Sequence, residues 1–175
     1  MITITKDSSL PLNFIISPRD FLYSTVKLQK QTCNALQKAA SIIKVTSNNN
    51  YTLVITRGHI AWNFWRKSRG FFAKILFKIF FSDSKNNVDL LFSANGHDDG
   101  FSVDVSLYDL KQHKIVRLLY WRNIFISSRE ANQIQQENKE LLALLNMAMN
   151  QAGFIAHTDP REKLQSHYRL MNYQQ

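Results

Sequence analysis

The chain has 175 residues, of which 45% are hydrophobic and 20% charged, and it carries a net charge of +9 and one cysteine. This length and composition allow a buried core, which excludes extensive disorder, and a single cysteine excludes an intramolecular disulfide. The most apolar window, 70–81, is about twelve residues long and contains Lys74 and Lys78, which excludes a membrane-spanning helix there.

The N-terminal part of the chain predicts a short strand and a long helix. Ile2–Lys6 alternates β-branched residues, a pattern typical of an edge strand. Ser17–Asp20 has the features of a helix start, with Ser as N-cap and Pro at the first helical position. Apolar residues then recur at helical spacing up to the asparagine run 48–50, on a face made of Leu22, Val26, Gln29, Cys33, Leu36, Ala40 and Ile43.

The middle of the chain predicts a hairpin, a helix and three further strands. Tyr51–Ile55 and His59–Trp65 are strand-like and flank a turn at Arg57-Gly58. Ser68–Phe81 is helical in pattern. Alternating or β-rich runs then predict three strands, at 88–94, 101–107 and 115–126.

The C-terminal part predicts two helices. Ser127–Glu130 is a capping box, which opens a helix over 128–152 that Gly153 ends. Asp159–Glu162 starts a short final helix bearing Leu164, Tyr168 and Met171. We therefore predict an α+β fold: a mainly antiparallel sheet of about five strands flanked by helices, in the order α-β-β-α-β-β-β-α plus a short C-terminal helix. Residues 1–158 should form one domain and 159–175 a helical extension.

The predicted order is similar to that of roadblock- and profilin-like domains, and type III secretion chaperones also mix long helices with hairpins, in a different order. No residue motif identifies a family, and a fold does not by itself fix a function.

The positive charge is concentrated in one block, residues 21–82, which contains no Asp and no Glu. Elsewhere in the chain acidic and basic residues nearly balance. Clustered charge of one sign attracts an oppositely charged partner, so this block predicts an anionic partner. The candidate anion- or nucleic-acid-binding residues are Lys27, Lys30, Lys38, Arg57, Arg66, Lys67, Arg69, Lys74 and Lys78.

The stretch 62–72 interleaves aromatic and basic residues, and three readings of it stay open. Trp62 and Trp65 could stack on bases, while basic groups neutralise phosphates. The same mixture suits an anionic membrane surface. The third reading, which we favour for the aromatics, places them in the core.

Two groups of residues have a weaker link to chemistry. His97, Asp98 and Asp99 lie between two glycines, with Asp104 and His113 nearby in sequence, and we interpret this loop as a polar hairpin turn that binds no metal. Asp109-Leu110-Lys111, with Asp89 or Asp99 upstream, resembles the Asp…Asp-x-Lys metal site of restriction-type nucleases. In that family the motif lies within a core strand, whereas here it ends a strand.

These observations lead us to expect a non-catalytic interaction or regulatory module, adaptor-like, with no cofactor. Nucleic-acid binding through 21–82 and peripheral membrane attachment through 62–81 are the alternatives. Another protein is the leading partner class, and a homodimer through the helix 128–152 is possible because that helix has two apolar faces near its end. The start of the chain lacks the pattern of a secretory signal, so we expect a cytoplasmic protein.

Overall fold

A six-stranded mixed sheet forms the centre of the structure, a computed structural model that describes residues 1–5, 13–17, 25–59, 71–72, 75, 97, 99–118, 128–156 and 166–171. The predicted α+β class is confirmed. Three helices are described in full: α1 (Lys30–Thr46), α2 (Ser128–Glu137) and α3 (Lys139–Gln151).

The described strands form two sheets. Their bounds are β1 (Ile2–Thr5), β2 (Ile15–Ile16), β3 (Thr25–Leu28), β4 (Tyr51–Arg57), β5 (Ser102–Asp109), β6 (Lys114–Ile115), β7 (Phe154–Ala156) and β8 (His167–Leu170). The main sheet has the order β2-β4-β5-β8-β7, and β6 pairs with β5 as well. Strand β2 runs parallel to β4, and the other pairs are antiparallel. Strands β1 and β3 form a separate antiparallel pair.

The predicted first helix is shorter than expected. Thr25–Leu28 form strand β3, which pairs with β1, and the helix begins at Lys30. Val26 fits the helical face, but together with Leu28 it also fits the alternation of a strand, and its pairing with Ile4 shows that the strand forms. The predicted helix start, Ser17–Asp20, lies largely outside the described residues.

The predicted last strand and last helices also need correction. Beyond the two residues of β6, Val116–Leu118 belong to no strand, and 119–126 lie outside the described residues. Asn138, with φ −111° and ψ 16°, divides the predicted helix 128–152 in two, and its side-chain amide donates to the carbonyl oxygen of Ile134 at 2.9 Å. At the C-terminus, where we predicted a helix, 167–170 form strand β8, which pairs with β5.

Three other predicted elements lie wholly or mostly outside the described residues, namely the strands 59–65 and 88–94 and the helix 68–81. Within the last of these, Phe71, Phe72 and Ile75 have helical backbone. Among the described helices, none combines the length and the apolar character needed to cross a membrane.

The hydrophobic core lies on one face of the main sheet. Alternating residues of β4 and β5 point to it, and α1 and α3 cover it and contact each other. The core side chains at the centre are Leu36, Ala40 and Ile43 of α1, Leu53, Ile55, Val103, Val105 and Leu107 of the strands, and Leu145, Ala148 and Met149 of α3. The opposite face of β5 carries Ser102, Asp104 and Ser106, and these polar side chains are buried too.

Burial of Cys33 on the core face of α1 gives a direct test of this packing. Its side chain is 4% exposed, and burial raises the pKa of the thiol. We expect the native thiol to react with a disulfide reagent at least about 100-fold more slowly than in the denatured chain, since a local opening that costs ~3 kcal/mol must come first. A Cys33→Ala/Ser41→Cys variant places the thiol on the exposed face of the same helix and should react fast. Equal rates for native wild type and this control would contradict the packing of α1.

Candidate functional site

Strand pairing brings Arg57, Asp104 and His167 together on the sheet face opposite the core. The register of β5 and β8 sets Asp104 opposite His167. An irregularity after Ile55 in β4 sets Arg57 opposite Asp104 as well. His97 approaches from the turn that precedes β5. We call His97, Asp104 and His167 the His–Asp cluster.

The two residues before Phe101, Asp99 and Gly100, are hydrogen-bonded to the start of helix α1. The carbonyl oxygen of Gly100 accepts the hydroxyl of Thr32 at 3.0 Å and the backbone N–H of Gln29 at 3.3 Å. The side-chain amide of Gln29 donates to the carbonyl oxygen of Asp99 at 3.0 Å. Gly100 has a φ of +78°, a conformation that favours glycine. Helix α1 therefore holds Asp99 and Gly100 in place directly before β5.

Three side-chain atoms of the type that binds metals, two imidazole nitrogens and one carboxylate oxygen, converge within the His–Asp cluster. His167 Nδ1 lies 2.7 Å from Asp104 Oδ1, and His97 Nε2 lies 3.2 Å from His167 Nδ1 and 3.5 Å from Asp104 Oδ1. On the other side of its ring, His97 Nδ1 lies 2.9 Å from the carbonyl oxygen of Gly58. A carbonyl oxygen only accepts, so His97 Nδ1 carries a hydrogen, and Nε2 faces the other two residues.

Burial and mutual attraction set the charges in the cluster. His97 is 1% exposed, and burial lowers the pKa of its imidazole against the opposing attraction of Asp104, which favours the neutral ring. Burial would raise the pKa of the Asp104 carboxyl, but electrostatic attraction to the two neighbouring imidazoles, His97 first, and the hydrogen bond that His167 Nδ1 donates hold that pKa well below its usual range. The carboxylate therefore stays ionised at neutral pH. Arg57 adds a positive charge, with Nη1 3.9 Å from Asp104 Oδ2.

The chemistry open to this cluster is that of two imidazoles and one carboxylate. Their donor atoms lie within 4.8 Å of one another and all three residues are buried. Such a set can hold a transition-metal cation or share protons in a buried hydrogen-bond network. Next to it, Arg169 Nη2 lies 2.5 Å from Asp99 Oδ2, so Asp99 belongs to an ion pair.

The sequence suggested only part of this arrangement. His97 lies in a turn, as expected, but it is buried rather than solvated. His113, which is near Asp104 in sequence, is exposed in the turn before β6 and is not in the cluster. His167 lies in the segment predicted as the short final helix. Its alternation with Tyr168, Arg169 and Leu170 was a signal for a strand that sequence reasoning missed.

The nuclease-like residues do not form a site in the described part of the chain. Asp109 accepts the backbone N–H groups of Lys111 and Gln112, both at 2.8 Å, and so shapes a turn. Asp99 lies near the opposite end of β5, about 23 Å of strand away. Asp89 lies outside the described residues. Asp99 and Asp109 are thus too far apart to share a metal ion.

The structure describes four of the predicted basic site residues. Lys27 on β3 and Lys30 and Lys38 on α1 are exposed, and we call these three the basic surface. Arg57 lies beside Asp104 and is only partly exposed, and its role in anion binding stays a prediction. The remaining predicted residues, Trp62, Trp65, Arg66, Lys67, Arg69, Lys74 and Lys78, lie outside the described residues.

Two aromatic side chains of the predicted aromatic-basic stretch lie on the surface rather than in the core. Phe71 and Phe72 are 63% and 64% exposed, and their rings pack edge to face at 5.9 Å between centroids. Ile75, one turn further along, is exposed as well. The core interpretation therefore fails for Phe71 and Phe72.

Comparison with known proteins assigns no family to this chain: no protein-family model matches it, and neither does any curated protein.

Proposed function

We propose that this protein is a non-catalytic, adaptor-like interaction module that binds an anionic partner through its acid-free block. The observation that carries this proposal is the exposure of Lys27, Lys30 and Lys38 in a segment, 25–59, that contains no acidic residue. The cytoplasmic location and another protein as the main partner class are part of the same proposal.

The environment of the basic surface supports attraction of an anion. On the outer side of α1, the residues one helical turn before and after Lys38 are Asn34 and Ser41. Both are exposed and uncharged. No carboxylate within the segment neutralises the three lysines. Charges that have no local counter-charge keep their field and act on a partner.

A second candidate function is attachment to an anionic membrane surface through 62–81. Exposed Phe71, Phe72 and Ile75 favour it, because exposed apolar groups among basic ones can enter the headgroup region. Trp62 and Trp65 would add to this contact or stack on bases, and their role stays a prediction.

Two further alternatives have less support. Nucleic-acid binding would use the same lysines, without any added observation from the described residues. The helix 128–152 has one apolar face made of Leu141, Leu145 and Ala148 and a second made of Leu142 and Met149. Burial of Met149 in the core gives the second face less surface to offer to another copy of the chain.

A charge-matched pair of variants tests the basic surface. One variant replaces Lys27, Lys30 and Lys38 with Gln, and the control replaces the exposed lysines 111, 114 and 139 with Gln. The probes are polyglutamate, a single-stranded DNA and vesicles with and without anionic lipid. We expect the first variant to weaken polyanion binding about 10-fold and to lower its logarithmic salt dependence on DNA by about two units, and the control to change little.

The choice of probe separates the candidate functions. Tight binding of polyglutamate supports a protein partner. Binding to anionic vesicles alone, lost in a Phe71→Ser/Phe72→Ser variant, supports membrane attachment. Binding of DNA with steep salt dependence supports a nucleic-acid partner. Equal loss in both lysine variants, or no binding of any probe at low salt, would contradict the proposal.

A further inference from the structure

We propose that the His–Asp cluster is a binding site for one divalent transition-metal cation, zinc foremost, held by His97 Nε2, His167 Nδ1 and Asp104 Oδ1. This proposal stands apart from the basic surface, since it uses none of those lysines. Its support comes from spacing, orientation, donor chemistry and the rigidity of the supporting elements.

The spacing of the three donor atoms is close to that of a zinc site. Zinc–ligand bonds of about 2.0–2.1 Å in a tetrahedron separate the ligand atoms by about 3.3 Å. Two of the three separations, 3.2 Å and 3.5 Å, are near this value already. The third, 2.7 Å between His167 Nδ1 and Asp104 Oδ1, is a hydrogen bond. Replacing that hydrogen bond by two metal bonds requires an opening of about 0.6 Å, which a side-chain rotation provides.

The orientation of the His97 ring matches that of a metal ligand. Histidines that bind metals nearly always donate their other ring N–H to a carboxylate, a backbone carbonyl or water. His97 does so with the carbonyl oxygen of Gly58, and this bond directs the Nε2 lone pair toward Asp104 and His167. A metal bond at His167 Nδ1 requires the tautomer with its hydrogen on Nε2. A neutral ring shifts its proton from Nδ1 to Nε2, whereas an imidazolium ring releases its Nδ1 proton to solvent.

Donor type and burial select the class of metal. Two imidazole nitrogens and one carboxylate oxygen suit zinc, cobalt, nickel or ferrous iron, whereas magnesium and calcium prefer oxygen ligands only. Three protein donors leave a coordination position for water. Arg57 lies on the Oδ2 side of Asp104 and so leaves Oδ1 to the metal, although its positive charge reduces the affinity.

The supporting elements hold the donors in place before any metal arrives. Asp104 and His167 are register partners on adjacent strands of the sheet, and the buried ring of His97 is hydrogen-bonded to the carbonyl oxygen of Gly58. Donors on rigid elements lose little entropy on binding. The competing interpretation is a buried network that only stabilises the fold, and metal binding itself distinguishes the two.

The test uses the full chain, stripped of metal with a chelator, and titrates it with ZnCl2 under calorimetry while dialysis and elemental analysis give the stoichiometry. We expect one zinc per chain and a rise in melting temperature. His97→Gln and His167→Gln should each weaken binding by at least about 100-fold, the upper end of what loss of a mere supporting group costs. The matched control, His113→Gln, makes the same change at an exposed histidine and should bind as wild type does.

A second measurement on the wild-type protein does not depend on how the variants fold. Paramagnetic Co2+ should broaden the imidazole NMR signals of two of the five histidines at one equivalent, and zinc should displace it. The proposal is overturned by absence of stoichiometric binding, by binding that both cluster variants retain, or by binding that His113→Gln abolishes.

Discussion

Replacing Tyr168 with Ala should lower the free energy of unfolding by about 3–5 kcal/mol, the range for loss of a large buried side chain. Tyr168 is fully buried in the core, and its register partner on β5 is Val103. Its hydroxyl donates to the side-chain oxygen of Asn146 on α3. The ring thus joins the C-terminal strand to the sheet and to a helix, and its removal leaves a cavity at that junction. Urea denaturation of wild type and variant measures the effect.

Two controls separate the cavity from other causes. Tyr168→Phe keeps the ring and loses one hydrogen bond, so it should cost about 1 kcal/mol. Met171→Ala changes an exposed residue directly after β8 and should stay within about 0.5 kcal/mol of wild type. If Tyr168→Ala were as stable as Met171→Ala, β8 would not be part of the core, and the predicted C-terminal extension would regain support.

Tyr168 also shows why the sequence misled at this end of the chain. Leu164, Tyr168 and Met171 have helical spacing, but Tyr168 and Leu170 equally fit the alternation of a strand. For so short a segment the local pattern does not decide. Pairing with β5, whose partner residues lie about 65 positions earlier in the chain, does decide, and no local signal reports it.

The same ambiguity explains the error at β3, whereas the confirmed elements have strong local signals. The body of α1 buries Cys33, Leu36, Ala40 and Ile43 at helical spacing, as predicted. Strand β5 alternates over its full length, and its apolar residues face the core. Long periodic segments were therefore predictable, while short ones depended on distant partners.

The His–Asp cluster could not be found from the sequence, because its three residues are not separated by the short, regular spacing of a known metal-binding or catalytic motif. Asp104 was visible only as an acid among the polar positions of a strand, and His97 as part of a turn. Their convergence with His167 follows from the register of β5 with β8 and from the bond of His97 to Gly58. Both depend on tertiary packing.

The cluster and the basic surface meet at Gly58. Its carbonyl oxygen accepts from His97, and its backbone lies so close to β3 that an added Cβ would approach Val26 Cγ1 to 2.5 Å. Next to it, the N–H of His59 donates to the carbonyl oxygen of Lys27 at 2.7 Å. The absence of a side chain at this position lets the backbone at Gly58 contact both His97 and strand β3.

Asp104 should be the most sensitive residue of the cluster. Asp104→Ala removes the acceptor of the His167 N–H and the anion beside Arg57, and both groups are largely enclosed by protein. Breaking a buried, hydrogen-bonded ionic interaction by removing its carboxylate costs about 3–5 kcal/mol. We expect a loss of this size in the free energy of unfolding of the metal-free protein, measured by urea denaturation at neutral pH.

Two substitutions test whether charge and hydrogen bonding in the cluster cause that loss. Asp104→Asn keeps an acceptor oxygen but removes the charge, so its cost should fall between those of Asp104→Ala and wild type, about 1–3 kcal/mol. Asp109→Ala removes another buried carboxylate of β5, whose partners are backbone N–H groups in a turn near the surface, and should cost about 1–2 kcal/mol. If Asp104→Ala cost no more than Asp109→Ala, the cluster would add nothing beyond an ordinary turn, because its buried charge and its two imidazoles are what distinguish Asp104 from Asp109.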